Sequence, residues 1–576
     1  MKKLLVVLAV LFVTVSMFAA TDYVIRDYAG NPGGVLNVGT LGDPKTFNIV
    51  WAQETSSTDM LDWIGYHETT GCFIGSDQGG MQTVPLLATD WWFSEDGKTA
   101  YFKLREGVLW SDGEPLTMED VLFTFNDVMF VNEMTANGNA SYMDANDELP
   151  VVEVVDENTI SFAWTVPNVW GWKAVGATDI LPKHALAEAV ANGTLAEKWT
   201  VDQFTDVVGC GPYVPEEFVP GVYVKFVKNP LFWMKDSNGY QLPYLDEIIY
   251  TIVGDQNAEL LKFEAGELDE IGPTAENFPR LAEKAEEMGW NTVVGGVALG
   301  SNFITFNFNA PDPVKSEWFR NADFRKAWVY ALDRASIIET IYNGLGAPLY
   351  GPVSPSSGFY NPEIEEYGYK YSITRARLSL KKGGFSWKED GTCVDANGNP
   401  VEFELLTNAG NTAREAIGAI MASAGEKLGI KVNFTPIDFN TVVSKLLEPS
   451  YESVIIGLTG SVDPGSGWNV YRIDGGLHMW NYPPEYSEAV SPEEYVLPDW
   501  EKRVDEIFRE QTAAVVEEDR YNLFAEYQDI FADEQPLVFT IAQNYLLVYD
   551  NTLMLANDDP NPAAGAFWQR EGIYWK

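Results

Sequence analysis

Residues 86–126, LLATDWWFSEDGKTAYFKLREGVLWSDGEPLTMEDVLFTFN, give nearly every position a structural task. Trp91, Trp92 and Phe93 read as a short aromatic strand, and Asp96 with Gly97 supplies the Asp-Gly turn that hairpins favour. From Thr99 to Arg105 the chain alternates Ala100, Phe102 and Leu104 against Tyr101, Lys103 and Arg105, which predicts one buried and one solvated face. A polar turn around Asp112 and Gly113 leads to Thr117, whose hydroxyl is placed to cap a helix, and Asp120 falls in the first turn, where the helix dipole favours a carboxylate. Val121, Leu122, Phe125 and Val128 then form the inward face.

Farther along, Thr412–Leu428 carries Ile417, Ile420, Met421, Ala424 and Leu428 on one helical face with Gly429 as a stop, and alternating Ile430, Val432 and Phe434 predict a following strand. This is the grammar of an α/β lobe built from strand–helix units. A chain of 576 residues exceeds one domain, and a 46% hydrophobic, 13% aromatic composition supports several packed cores. The chain holds 84 acidic against 38 basic residues, a net charge of −46, which argues against nucleic acid or anionic lipid as partner, since both need Lys/Arg clusters.

The first twenty residues read as a secretion signal: Lys2 and Lys3, an apolar run from Leu4 to Phe18, then Ala19 and Ala20, so that the mature chain is expected to start near Thr21. Met17 and Phe18 are poor residues for the cleavage site, which leaves an uncleaved anchor as the alternative. No Cys follows the run to take a lipid, and no later run is long and apolar enough to span a bilayer, so a freely diffusing periplasmic protein is expected. Cys72, Cys210 and Cys393 are widely spaced and the chain has only three His, which predicts buried thiols or one long-range disulfide and no zinc site.

Enzyme motifs fail on inspection. GTLGDPKT at residues 39–46 approaches a P-loop, but Pro44 stands where a glycine N–H must meet phosphate. Asp395, Asn397 and Asn399 around Gly398 suggest a polar hairpin rather than a calcium loop, because the downstream Glu is missing. No catalytic residue, metal site or cofactor is therefore expected.

The opening stretch resembles the signature of the extracellular solute-binding proteins of family 5, the dipeptide, oligopeptide, nickel and oligosaccharide receptors of ABC importers. Leu87-Ala88, Trp91, Ser94, Asp96-Gly97, Tyr101, Phe102, Leu104-Arg105, Gly107-Val108, Asp112-Gly113, Pro115, Thr117 and Asp120-Val121 fill its pattern, with Trp110 where Phe is usual. Gly209-Cys210-Gly211-Pro212-Tyr213, the run from Asn229 to Trp233, Pro243-Tyr244-Leu245-Asp246, FEAGELD at 263–269, FRKAWVYALDRASIIETIYNG at 324–344 and RYNLFAEYQDIFADEQPL at 520–537 extend the resemblance in order. It implies a type II (class C) periplasmic binding fold, α/β, with two lobes closing over a cleft and an extra third domain. The implied division is domain I at 21–68, 200–298 and 536–576, domain II at 69–199 and domain III at 299–535. The implied partners are a small ligand and the importer's permease, with a monomer as the family expectation.

Peptide-binding members carry a loop in which an Asp salt-bridges the ligand's α-amino group. The corresponding segment here, GLTGSVDP at 457–464, keeps Asp463-Pro464 but places Gly460 or Ser461 at the amine-binding position. A buried ammonium without a counter-charge is costly, so a neutral polyol, a β-linked gluco- or manno-oligosaccharide, is the expected ligand. A peptide receptor with another anchor, such as Asp463, is the alternative, a secreted carbohydrate-active enzyme a remote one, and a nickel receptor is disfavoured by the scarcity of His. Sugars present flat C–H faces and hydroxyl rims, which suit aromatic platforms and amide side chains. The candidate ligand residues are therefore Trp468 and Asn469 in a Gly-rich loop, Trp51 after the first strand, Trp480, Asn302 and Asp463. Trp91, Trp110, Trp233 and Trp328 are expected to be packing residues.

Overall fold

The computed structural model describes residues 24–576 except 28, 67–68, 81, 485–489, 494, 557–558 and 564. The leader expected over residues 1–20 lies outside the described residues.

The opening stretch forms as its pattern dictates. Ala88–Phe93 and Thr99–Leu104 pair antiparallel, Trp91 opposite Phe102 and Trp92 opposite Tyr101, and Gly97 turns the chain at φ 68°. Ala100, Phe102 and Leu104 are buried. Arg105 departs from the expected solvated face: it is buried, its Nε donates to the Leu86 carbonyl at 3.0 Å, and its guanidinium lies 5.3 Å from the Trp233 ring centre. Its long stem lies along apolar surface and its planar cation stacks on the indole. Thr117 caps Met118–Phe123, and the Asp120 carboxylate accepts the Thr117 N–H at 2.8 Å in return, which closes a capping box.

Four larger sheets organise the chain. Val35–Thr40, Glu247–Ile252, Tyr223–Lys228 and Tyr213–Val219 lie side by side, the first pair parallel. Between the first of these strands and the rest, the chain leaves to build the antiparallel sheet Ala88–Phe93, Thr99–Leu104, Thr159–Ala163 and Val151–Val154. The second lobe centres on Lys431–Ile437, Glu402–Asn408, Ser453–Leu458, Ser301–Phe306 and Leu537–Phe539, in that order. Helix Thr412–Leu428 packs against it and stops at Gly429 with φ 75°.

The fourth sheet links the lobes. Ile541–Asp550 pairs with Trp290–Val297 and Glu270–Ile271, and its first residues pair with Gly346–Pro348. The chain crosses from this sheet into the second lobe after Val297 and returns before Ile541, two adjacent passages. The apolar interior falls into two clusters, one from Leu36 to Tyr250 with Leu547 to Ile573, the other from Leu260 to Val548. Leu546 and Val548 belong to one cluster and Leu547 to the other, so the period of the strand sends alternate side chains into different cores.

Trp110, Trp233 and Trp328 are buried and Trp91 is half-buried. Cys72, Cys210 and Cys393 are buried and form no disulfide. Asp395 takes the N–H groups of Asn397 and Asn399 and the Trp318 indole N–H on its carboxylate, which makes this segment a self-satisfied turn. No helix among the described residues is long and apolar enough to cross a membrane.

Candidate functional site

In an α/β lobe, ligands meet the carboxyl ends of the parallel strands. In the second lobe those ends are Asn408 and Leu458, with Asn302 paired to Gly457 beside them. This edge faces the first lobe across polar contacts: the Thr412 N–H donates to Gln256 Oε1 at 3.1 Å, and Lys45 Nζ reaches the Asn440 carbonyl at 3.2 Å and Ser444 Oγ at 3.4 Å. A void of about 330 Å³ is bounded by Gly79, Leu299, Ser356, Val462, Asn561 and Ala563.

The loop that follows Leu458 settles against the strand entry opposite. A Cβ at Gly460 would land on the Leu299 carbonyl oxygen. The side-chain-free backbone of Gly460 is therefore what lets the two segments touch, and no carboxylate can stand at that position in this conformation. Ser461 Oγ accepts the Asp463 N–H at 3.3 Å.

Asp463 is committed elsewhere. Its two oxygens accept Arg520 Nη1 and Nη2 at 2.6 Å each, Lys173 stands 3.6 Å away, and Oδ1 also caps the turn Pro464–Gly467 through the Gly465 N–H. The expectation that Asp463 could serve as a ligand's amine anchor is corrected on this ground: its charge is already matched by a bidentate guanidinium.

Trp480 is a second correction. It is fully buried, and its indole N–H donates to Glu501 Oε1 at 2.6 Å, alongside His478 Nε2 at 2.8 Å and Asn481 Nδ2 on the other oxygen. His478 Nδ1 lies 3.0 Å from the Val470 carbonyl oxygen, so both ring nitrogens have a polar partner. This is a packing network around one buried carboxylate, not a ligand surface.

Trp468 and Asn469 open the short helix Trp468–Tyr471 and are half-buried, and the Asn469 carbonyl accepts the Leu477 N–H at 2.8 Å. Trp51 is half-buried and its indole N–H, sealed from water, meets no acceptor among the described residues. The Trp51 loop and the loop after Asn469 converge on one segment: the Ala136 N–H donates to the Val50 carbonyl at 2.9 Å, and a Cβ at Gly476 would meet the Ala136 carbonyl at 2.8 Å.

Asn302 is at the strand edge as expected, but its side-chain oxygen is occupied. Arg414 Nε donates to Asn302 Oδ1 at 2.9 Å and Nη1 donates to Asn408 Oδ1 at 2.8 Å. Burial pushes the Arg414 guanidinium down to about 10. Arg414 escaped the sequence reading because it sits in an amphipathic helix, although a cation in a helix's first turn opposes the dipole and is a usable signal.

The first lobe contributes carboxylates. Glu259 lies against Gly39, close enough that a Cβ there would stand 2.7 Å from Oε1. Burial raises Glu259 to about 7, and burial together with Glu259, Asp269 and Asp59 raises Glu270 to about 8.

Residues 82–475 match the family described as bacterial extracellular solute-binding proteins, family 5 Middle. The chain is 30% identical to a protein named probable ABC transporter-binding protein from Deinococcus radiodurans, over 84% of each chain. It is 28% identical to the oligopeptide-binding protein AppA of Bacillus subtilis over 81% of each, and the structure of that protein with a nonapeptide superposes with a TM-score of 0.79, covering 95% of this chain and 100% of that one at 23% identity. The structure of MelB from Agrobacterium fabrum with stachyose gives the same TM-score of 0.79, covering 96% of this chain and 86% of that one at 20% identity.

Proposed function

Because this chain belongs to the bacterial extracellular solute-binding proteins of family 5, we propose that it captures an oligosaccharide between its two lobes and delivers it to the membrane permease of an ABC importer. Its fold is the mixed α/β fold of type II periplasmic binding proteins. Its relatives are binding proteins, and the reading assigns it no chemistry of its own.

The observation that carries the ligand class is Gly460 seated on the Leu299 carbonyl. A peptide's α-ammonium taken out of water needs a carboxylate at that point, and the segment offers backbone only, while Asp463 three residues later is neutralised by Arg520. A neutral sugar needs hydrogen-bonding groups and an aromatic face. Trp468, Asn469 and Trp51, on loops that meet at Ala136, supply these. The two passages beside Val297 and Ile541 support closure as the mechanism, in which a ligand touching both lobes favours the closed arrangement by its extra contacts. The reading includes an N-terminal leader that sends the chain to the periplasm, and the three-domain division with domain II at 69–199.

A peptide ligand is the second reading, favoured by the relation to AppA, whose solved complex holds a nonapeptide. A thermal-shift screen of the purified protein against β-linked gluco-, manno- and xylo-oligosaccharides beside di- to nonapeptides separates the two. Ligand at a hundred times its Kd stabilises by about 2.7 kcal/mol, a readily measured shift. Stabilisation by a sugar series alone is expected; stabilisation by peptides alone overturns the oligosaccharide reading.

A further inference from the structure

Arg414 is a cation for which the described residues provide no counter-ion. In a chain with 84 acidic residues, the hydrogen bonds of its side chain go to neutral amides, Asn302 Oδ1 on Nε and Asn408 Oδ1 on Nη1, and the ionisable group beside it is the Tyr342 hydroxyl. Those two bonds fix the plane of the guanidinium. They leave Nη2 without a hydrogen bond among the described residues, yet not sealed from solvent. Nη2 faces the backbone at Gly457, where a Cβ would stand 2.7 Å from it, so the missing side chain keeps the space in front of the guanidinium open. The place is the carboxyl-end edge of the second lobe's sheet, one strand position from the loop that carries Gly460.

A half-desolvated guanidinium held flat by two neutral acceptors, with one edge free, is suited to a planar anion that can accept from the fork. A sugar hydroxyl would take the hydrogen bond and leave the charge unmatched. We infer that Arg414 receives a carboxylate group of the transported solute, with Asn302 and Asn408 as the residues that position it.

This rests on the receptor reading above and narrows it. For an oligosaccharide the carboxylate belongs to a uronic acid unit; for a peptide it is the chain terminus. The first is the expectation, because the amine position beside Gly460 is closed.

The test is calorimetric titration of the full-length secreted protein with neutral xylo-oligosaccharides, with the same oligosaccharides bearing a uronate, and with one peptide series as free acids and as amides. The uronate-bearing sugar is expected to bind about ten- to a hundredfold more tightly than its neutral counterpart, the range of one hydrogen bond to a charged group. Arg414→Gln should abolish that difference. If Arg414→Gln does not fold, Arg414→Lys, which keeps the charge but not the planar fork, should reduce the same preference. Equal affinity for neutral and uronate sugars, unchanged by either substitution, overturns the inference and leaves the oligosaccharide receptor standing. Binding of peptides alone overturns the oligosaccharide reading. In that case, loss of affinity on amidation, matched by Arg414→Gln, still supports a carboxylate on Arg414, and indifference to amidation overturns it.

Discussion

Glu501 shows how much one buried side chain can hold. Its carboxylate is surrounded by the Trp480 indole, the His478 ring and the Asn481 amide, all fully buried. Removing one member of a buried charged network leaves the others desolvated and unpaired. Glu501→Ala is expected to lower stability by about 3–5 kcal/mol, measured by urea unfolding, with little change in the affinity of whatever folded protein remains. Trp468→Ala, by contrast, should weaken ligand binding at least tenfold with a stability loss well below that of Glu501→Ala, checked by titration and unfolding of the same sample. The contrast between these tryptophans marks where sequence reading stops. A Trp in HMWN at 478–481 and a Trp in GSGWN at 465–469 look alike as strings; only the chain folding back to place Glu501 beside Trp480 distinguishes them. Asp463 was misjudged for the same reason, its partner Arg520 being 57 residues away.

Local elements were far more legible, because their determinants are neighbours in sequence. The hairpin around Gly97, the cap at Thr117 and the helix ended by Gly429 all follow from patterns spanning a few residues. Thr117→Ala should lower stability by about 0.5–2 kcal/mol, read from the denaturation midpoint, since the Glu119 N–H would lose the hydroxyl oxygen that caps it. Less legible was the group of acids drawn from separate elements: Glu259 on helix Gln256–Glu264, Glu270 on its short strand and Asp59 on helix Thr55–Leu61. Glu259 and Glu270 sit near 7 and 8 in the folded chain, above the ordinary carboxylate value, so the folded state binds more protons than the unfolded one between about pH 4.5 and 8. Stability from these groups is therefore present at the acid end of that window and declines as pH rises through it, at up to about 1.4 kcal/mol per pH unit for each extra proton held. Glu270→Gln should flatten this slope, a result seen by repeating thermal melts from pH 5 to pH 8.5.

At the scale of the molecule, the seam between the hairpin module and the second lobe is ionic. Asp147, at φ 60°, pairs with Arg509 and stands 3.5 Å from Arg472; these arginines also meet Asp474 and Asp505. The apolar core containing the hairpin module is continuous with the first lobe and not with the second. Charges of this kind are weakened by salt where solvent reaches them. Asp147→Asn is expected to reduce ligand affinity several-fold at low ionic strength and to differ little from the unaltered protein near 1 M salt, which titration at two salt concentrations will show. Such long-range pairing could not be read from the sequence, whereas the α/β lobes and their family pattern could.

The strand Ile541–Asp550 feeds Leu547 into one core and Leu546 and Val548 into the other. Nearly all the other residues of both cores precede this strand in the chain, so it is shared by two interiors that are otherwise built separately. One strand therefore completes the interior of both halves, and whatever loosens it is felt in the two cores at once.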